Sequence, residues 1–234
     1  MADTVIPVPE VTAIAVQGTA ATFPVRRMYC VGRNYVEHAK EMGFTGREPP
    51  FFFMKPADAL LPVADGAVGE MPYPPGTTEL HHEIELVVGL AKGGTNIKAA
   101  DAMDLIYGYA VGLDMTRRDL QAEAKKLGRP WEIGKAFDYS APISSMVPAN
   151  SIKDITKSAI TLEVNGKERQ AATIAELIWN IGEIIEHLSS YWTLQPGDLI
   201  FTGTPAGVAA VSAGDTLRGS VAGVGELTVK VVSL

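Results

Sequence analysis

Short runs of alternating hydrophobic and polar residues, separated by glycine and proline, recur along most of the chain. This period of two is typical of β-strands with one buried face, and it predicts strands at residues 26–31, 79–88 and 106–113. A further pair of strands is expected on either side of Asn165-Gly166, because these two residues tolerate the positive φ angles of a tight hairpin turn.

Helical periodicity is confined to a few segments, at residues 34–42, 116–128 and 173–188. The second and third segments begin with a threonine followed three residues later by an acidic residue, which is the spacing of a capping box. We find no internal repeat and no linker. The pattern therefore predicts one β-rich α+β domain over residues 25–234, preceded by an extended, proline-containing arm over residues 1–24.

Composition and charge narrow the class of protein. With 47% hydrophobic and 20% charged residues, the chain has an ordinary globular composition. The formal net charge of −7 argues against a nucleic-acid partner, because no basic surface is available to follow a phosphate backbone. No apolar run predicts a membrane span or a secretion signal, and Cys30 is the only cysteine, so we expect a cytoplasmic protein without a membrane partner.

Two carboxylates provide the first candidate chemistry. Glu83 and Glu85 are two positions apart in a predicted strand, so both point to the same face, about 6.5 Å apart along the backbone. Asp114 ends the next predicted strand and offers a third ligand. Three carboxylates without cysteine favour a hard cation such as Mg²⁺, Mn²⁺ or Ca²⁺. The alternative interpretation is a solvated outer face of a strand.

A second candidate is a histidine paired with an acid. His38 and Glu41 would share one face of a helix, where the carboxylate could orient the imidazole as a general base near neutral pH. The same spacing is also common in surface contacts. Arg118, Gln121 and Lys125 would share one face of the helix after Asp114, which is equally the pattern of a solvated helix.

Six ordered motifs resemble the fumarylacetoacetate hydrolase superfamily, from about residue 25 to the C-terminus. They are Tyr29-Cys-Val-Gly-Arg-Asn-Tyr35 with His38 and Glu41, Phe51-Phe-Phe-Met-Lys-Pro56, His82-Glu-Ile-Glu-Leu86, Gly112-Leu-Asp-Met-Thr-Arg-Arg-Asp-Leu-Gln121, Gly134-Lys-Ala-Phe-Asp138 and Phe201-Thr-Gly-Thr-Pro-Ala-Gly-Val208. Within the superfamily, the chain is most similar to the bacterial fumarylpyruvate hydrolases of gentisate breakdown. The resemblance implies a mixed β-roll fold with a few flanking helices and a homodimer.

The resemblance also implies roles for individual residues. Glu83, Glu85 and Asp114 would hold a divalent ion, usually Mg²⁺ or Mn²⁺, and His38 with Glu41 would activate water. The remaining implied site residues are polar groups that contact substrate or line its pocket: Lys135 beside the ion, Arg118, Gln121, Thr204, Arg33 and Lys55.

The implied reaction is metal-dependent hydrolysis of the C–C bond of a 2,4-diketo acid, with fumarylpyruvate yielding fumarate and pyruvate. A decarboxylase or keto–enol isomerase of the same superfamily, acting on oxaloacetate or a hydroxyheptadienedioate, is the alternative, because both reactions also use a stabilised enolate. A non-catalytic module, in which the three acids and a metal only join strands, is the alternative of another class. The residues leave open which acyl group and which ion are native.

Overall fold

Strands dominate the part of the chain that the structure describes, as the alternating pattern predicts. The computed structural model describes residues 4–37 and 47–234. Its strands are β1 (Ala13–Ala15), β2 (Thr22–Pro24), β3 (Met28–Gly32), β4 (Phe51–Lys55), β5 (Leu60–Pro62), β6 (Val68–Pro72), β7 (Leu80–His81), β8 (Ile84–Leu90), β9 (Ile106–Leu113), β10 (Thr116–Arg117), β11 (Ala141–Ile143), β12 (Val147–Pro148), β13 (Ala159–Val164), β14 (Lys167–Thr173), β15 (Leu199–Phe201), β16 (Ala210–Val211), β17 (Thr216–Val221) and β18 (Gly225–Val232). Its helices are α1 (Arg118–Leu127), α2 (Glu132–Lys135) and α3 (Ile181–Tyr191), with 3-10 turns at Ala57–Ala59, Ala99–Leu105, Ala149–Ser151, Ile155–Lys157 and Ile174–Glu176.

Two mixed sheets form the body of the fold. The larger has the order β4-β3-β15-β8-β9-β11-β5, with β12 also paired to β9, and the second has the order β14-β13-β17-β18-β6. Parallel pairing of β3 with β15, β5 with β11 and β6 with β18 interrupts otherwise antiparallel neighbours. The sheets pack face to face through apolar side chains that include Ile84, Val111 and Leu217, all fully buried. This is the predicted β-rich α+β class.

The N-terminal arm packs on the outer face of the larger sheet. Strands β1 and β2 pair as a short hairpin, and their Ile14 and Phe23 are buried in a cluster with Met28 and Phe201. The proposed division between residues 24 and 25 stays a prediction. None of the helices in the described part of the chain is long and apolar enough to cross a membrane.

Two local predictions from the strand pattern are confirmed. Strand β9 occupies the predicted residues 106–113. Strands β13 and β14 form the predicted hairpin, with φ angles of 53° at Asn165 and 73° at Gly166. Both elements depend on signals that lie within a few residues of each other.

The single strand predicted over residues 79–88 is wrong in its first half. Strand β7 pairs with β10 and β16 in a small separate sheet, whereas β8 pairs with β9 and β15. The chain changes sheets at His82 and Glu83, which lie between the two strands. Glu83 is therefore a connecting residue at the edge of the larger sheet.

The predicted capping box at the start of α1 is also wrong. Thr116 pairs with His81 in the β10/β7 ladder, so the helix begins only at Arg118. The Asp119 carboxylate instead accepts hydrogen bonds from the Thr77 hydroxyl at 2.5 Å and the Thr78 amide at 2.9 Å. These distant partners hold the first turn of α1 against the loop before β7.

The helix predicted over residues 173–188 forms in two parts. The Thr173/Glu176 capping box is present, but it opens only the 3-10 turn Ile174–Glu176. Helix α3 starts later, at a second capping box made by Asn180 and Glu183. The apolar spacing thus predicts the buried face of the segment but not the break within it.

Candidate active site

Three buried carboxylates meet at one end of the larger sheet. Glu85 lies in β8, Glu83 precedes that strand, and Asp114 follows its antiparallel neighbour β9. The Asp114 amide donates to the Glu83 carbonyl at 2.8 Å, which extends the β8/β9 pairing by one step and sets the acids side by side. Their ligand atoms lie within 4.8 Å of one another. The exposed fraction is 6% for Glu83, 2% for Glu85 and 1% for Asp114. A solvated strand face is therefore excluded.

Burial and mutual repulsion make ionisation of this cluster unfavourable. Burial raises the pKa of Glu85 well above its usual value, and the neighbouring Asp114 and Glu83 carboxylates raise it further. The amide of Gly203 donates to Glu85 Oε2 at 2.8 Å and opposes this shift only in part. Gly203 has a φ of +100°, and a Cβ there would lie 2.7 Å from Cβ of Asn34, so only glycine fits this turn.

Three cations of the chain face the three acids. Lys135 Nζ lies 2.8 Å from Glu83 Oε2 and 2.6 Å from Asp114 Oδ2. Burial lowers the pKa of Lys135, but the Asp114 and Glu83 carboxylates outweigh it and the pKa is raised. Lys55 Nζ lies 2.9 Å from Asp114 Oδ1, and Arg118 pairs with Glu83. The cluster is balanced by charge without any ion.

The donor set fits a divalent ion. Carboxylate oxygens are the ligands that Mg²⁺ and Mn²⁺ prefer, and the three that meet here are buried and mutually repulsive. Because the chain's own charges already cancel, a dication would leave the site with an excess of about two positive charges. That excess matches an anionic ligand such as a keto acid.

A buried glutamine supports the acids from the second sheet. Gln170 of β14 accepts hydrogen bonds from the Ile84 amide at 3.1 Å and from the His82 ring at 2.9 Å. It donates to the Thr204 hydroxyl and to the Pro205 carbonyl, both at 2.8 Å. The Thr204 hydroxyl in turn donates to the Ile84 carbonyl at 2.7 Å. Sequence reasoning missed Gln170, since nothing in the hairpin pattern marks it.

The acids open into a polar pocket. Most of the site residues expected from the sequence lie on its wall: Arg33, Glu83, Glu85, Arg118, Gln121, Lys135 and Thr204. The wall also includes residues that were not expected there: Val31, Gly32, Phe51, Phe53, Lys125 and Trp131. Lys55 was expected to line the pocket but lies beneath Asp114, where it also donates to the main-chain carbonyls of Met115 and Lys135.

The proposed general base falls in a segment that the structure does not describe. His38 and Glu41 lie outside the described residues, as does most of the helix predicted over residues 34–42. The preceding Asn34 is buried, and its side chain donates to the carbonyls of Trp179 and Thr202 at 2.9 and 2.8 Å and accepts from the Trp179 amide. These bonds hold the backbone next to Arg33, which lies on the wall of the pocket.

Comparison with known proteins identifies the family. Residues 27–232 match the family described as fumarylacetoacetate (FAA) hydrolase C-terminal. The chain belongs to this family. The fold and the motifs that carry the resemblance are thus those of an FAA hydrolase domain.

Individual relatives of this FAA hydrolase domain carry several activities in their names. The fumarylpyruvate hydrolase of a Ralstonia species is 47% identical over 184 residues, which are 79% of this chain and 93% of the relative. The mitochondrial oxaloacetate tautomerase of Rattus norvegicus is 41% identical over 219 residues, 91% of this chain and 97% of the relative. A crystal structure of the Pseudomonas aeruginosa fumarylpyruvate hydrolase, in complex with Mn²⁺ and pyruvate, is 51% identical and superposes with a TM-score of 0.97, covering 99% of this chain and 100% of that one.

Proposed function

We propose that this protein is a divalent-metal-dependent hydrolase that cleaves the C–C bond of a 2,4-diketo acid, with fumarylpyruvate as its substrate. The observation that carries the proposal is the buried cluster of Glu83, Glu85 and Asp114, which opens into a cationic pocket. The Mn²⁺ and pyruvate bound by the P. aeruginosa relative support both the ion and the keto-acid product.

The three acids would hold Mg²⁺ or Mn²⁺, with Ca²⁺ less suited to so compact a donor set. When bound, the ion supplies Lewis-acid stabilisation of the charge that develops on the departing pyruvate fragment, worth several kcal/mol. The donor set does not choose between these two ions, because both accept the same oxygens.

The chain's own residues would bind and orient the diketo acid. Lys135 Nζ, held between Glu83 and Asp114, is a preorganised donor for a developing oxyanion, and removal of one such donor costs about 2.7–4 kcal/mol. Gln121 accepts from Arg118 Nη1 at 2.6 Å and so fixes the guanidinium on the pocket wall. Thr204 would contact the substrate carboxylate.

The attacking water needs a base, and the resemblance assigns this role to His38 with Glu41. His38 would take the proton from water as it attacks the C4 carbonyl, a contribution of about 10²- to 10⁴-fold in rate. Replacing His38 with glutamine should lower kcat by that factor while Mn²⁺ binding, measured by calorimetry, persists. Unchanged hydrolysis would remove the histidine from the mechanism.

Oxaloacetate chemistry is the second candidate function, favoured by the 41% identity with the oxaloacetate tautomerase. One assay separates the alternatives: loss of diketo-acid absorbance and release of pyruvate for fumarylpyruvate, maleylpyruvate, acetylpyruvate and oxaloacetate, with and without chelator. We expect chelator-sensitive cleavage of fumarylpyruvate with one pyruvate released per substrate. Oxaloacetate turnover without acylpyruvate cleavage would favour the tautomerase or decarboxylase. Metal binding with no turnover at all would favour the non-catalytic module.

We also propose a homodimer, which the resemblance implies, and a cytoplasmic location, which the single cysteine and the lack of a predicted secretion signal favour. Light scattering of the purified protein tests the first, since a dimer doubles the monomer mass of 24.9 kDa. Fractionation of the source cells tests the second.

A further inference from the structure

One cation on the pocket wall takes no part in balancing the three acids. Lys125 shares a face of α1 with Arg118 and Gln121, but Arg118 pairs with Glu83 and Gln121 accepts from Arg118. Lys125 makes no ion pair with any residue in the ranges 4–37 and 47–234. At 1.5 Å per residue, it lies about 10 Å further along the helix axis than Arg118. Its backbone position is thus about two helical turns beyond that of Arg118.

Aromatic rings hold Lys125 and a second cation in this part of the pocket. Lys125 Nζ lies 4.9 Å from the ring centre of Trp131, and Arg33 Cζ lies 5.1 Å from that of Phe51. The two rings meet edge to face, with their centres 5.3 Å apart. Cation–π contacts place a charge without neutralising it, so the contact with Trp131 leaves the positive charge of Lys125 available to a ligand.

The charges around Lys125 also favour a bound anion. Burial, together with repulsion from Arg118 and Arg33, lowers the pKa of Lys125 to about 8. A half-buried ammonium group near two other cations is unfavourable on its own, and an anion bound between them would relieve the repulsion. The pocket wall thus carries a cation, Lys125, that no ion pair with a described residue neutralises.

We propose that Lys125 binds the carboxylate at the far end of the acyl group, and thereby selects acylpyruvates that carry a second acid group. This inference rests on the proposed function. The backbone positions of Arg118 and Lys125 are about 10 Å apart along α1, so the two side chains can reach different ends of a diketo acid that has a carboxylate at each end. The Phe51 and Trp131 rings form an apolar wall for the planar chain between those carboxylates.

The test is a change in substrate preference. Lys125→Met should lower the ratio of kcat/KM for fumarylpyruvate to that for acetylpyruvate by about 10- to 100-fold, the effect of losing one charge-assisted hydrogen bond. Lys125→Arg should restore most of the ratio because the charge is kept. The matched control is Lys126→Met on the same helix, where the side chain is exposed and outside the pocket, and it should leave the ratio unchanged.

A binding measurement separates failure of this inference from failure of the proposed function. Calorimetry on the Mn²⁺-loaded protein compares fumarate with crotonate, which has the same chain but lacks one carboxylate. Wild type should bind fumarate about 10-fold more tightly or better, and Lys125→Met should abolish the difference. Equal binding of the two acids by wild type, or an unaltered preference in Lys125→Met, overturns the inference even if fumarylpyruvate is cleaved. Absence of cleavage with the fumarate preference intact overturns only the hydrolase.

Discussion

Gln170 of the second sheet forms buried hydrogen bonds to residues beside the larger sheet, and its replacement by leucine gives a quantitative prediction. The glutamine side chain is 1% exposed and makes four hydrogen bonds of 2.8–3.1 Å, to Ile84, His82, Thr204 and Pro205. Leucine has a similar volume, so the loss is one of hydrogen bonds and not of packing. At about 1 kcal/mol for each bond, we expect the free energy of unfolding to fall by about 4 kcal/mol.

Urea unfolding followed by tryptophan fluorescence measures this change. Glu168→Leu is the matched control, since Glu168 lies two positions earlier on the same strand with an exposed side chain, and it should change stability by at most about 0.5 kcal/mol. Gln170→Leu should also weaken Mn²⁺ binding. The Thr204 turn that it releases carries the Gly203 amide, which donates to Glu85.

The reasoning would be refuted by a loss below about 1 kcal/mol in Gln170→Leu, because the four buried bonds would then have no net value. Equal losses in Gln170→Leu and Glu168→Leu would also refute it. The cause would then be leucine in this strand rather than the lost bonds.

Three further predictions concern the ion, the pH dependence and the aromatic wall. Mn²⁺ at a hundred times its Kd should stabilise the protein by about 2.7 kcal/mol, or about 5–10 °C in a thermal melt, and Asp114→Asn should abolish this shift. Because the pKa of Lys125 is lowered to about 8, its charge is present below that pH and lost above it. The preference of the free enzyme for fumarylpyruvate over acetylpyruvate, measured as kcat/KM, should therefore decline above about pH 8 in wild type and stay level in Lys125→Arg. Gly32→Ala would place a Cβ 2.0 Å from the Phe51 ring, so urea unfolding should show a loss of about 1–3 kcal/mol and KM for fumarylpyruvate should rise. An alanine variant with unchanged stability and KM would contradict the proposed position of this ring.

Much of the fold was predictable because its signals are local. The alternation over residues 106–113 predicts β9, and Asn165-Gly166 predicts the turn between β13 and β14. The i,i+2 spacing of Glu83 and Glu85, with Asp114 at the end of the next strand, predicts a cluster of acids, although Glu83 lies just outside its strand. The resemblance to the fumarylacetoacetate hydrolase superfamily added the kind of reaction, which the spacing of the acids alone does not indicate.

The sequence by itself therefore determined where the strands with clear local signals form and which residue types are available for chemistry, since backbone propensity and hydrophobic periodicity act over a few positions. Only the tertiary structure decided which polar groups share one enclosed volume. Gln170 is 86 positions from Ile84, and Lys135 is 52 positions from Glu83. Burial and charge act through space between such partners, and packing of the two sheets, not their order in the chain, determines those distances.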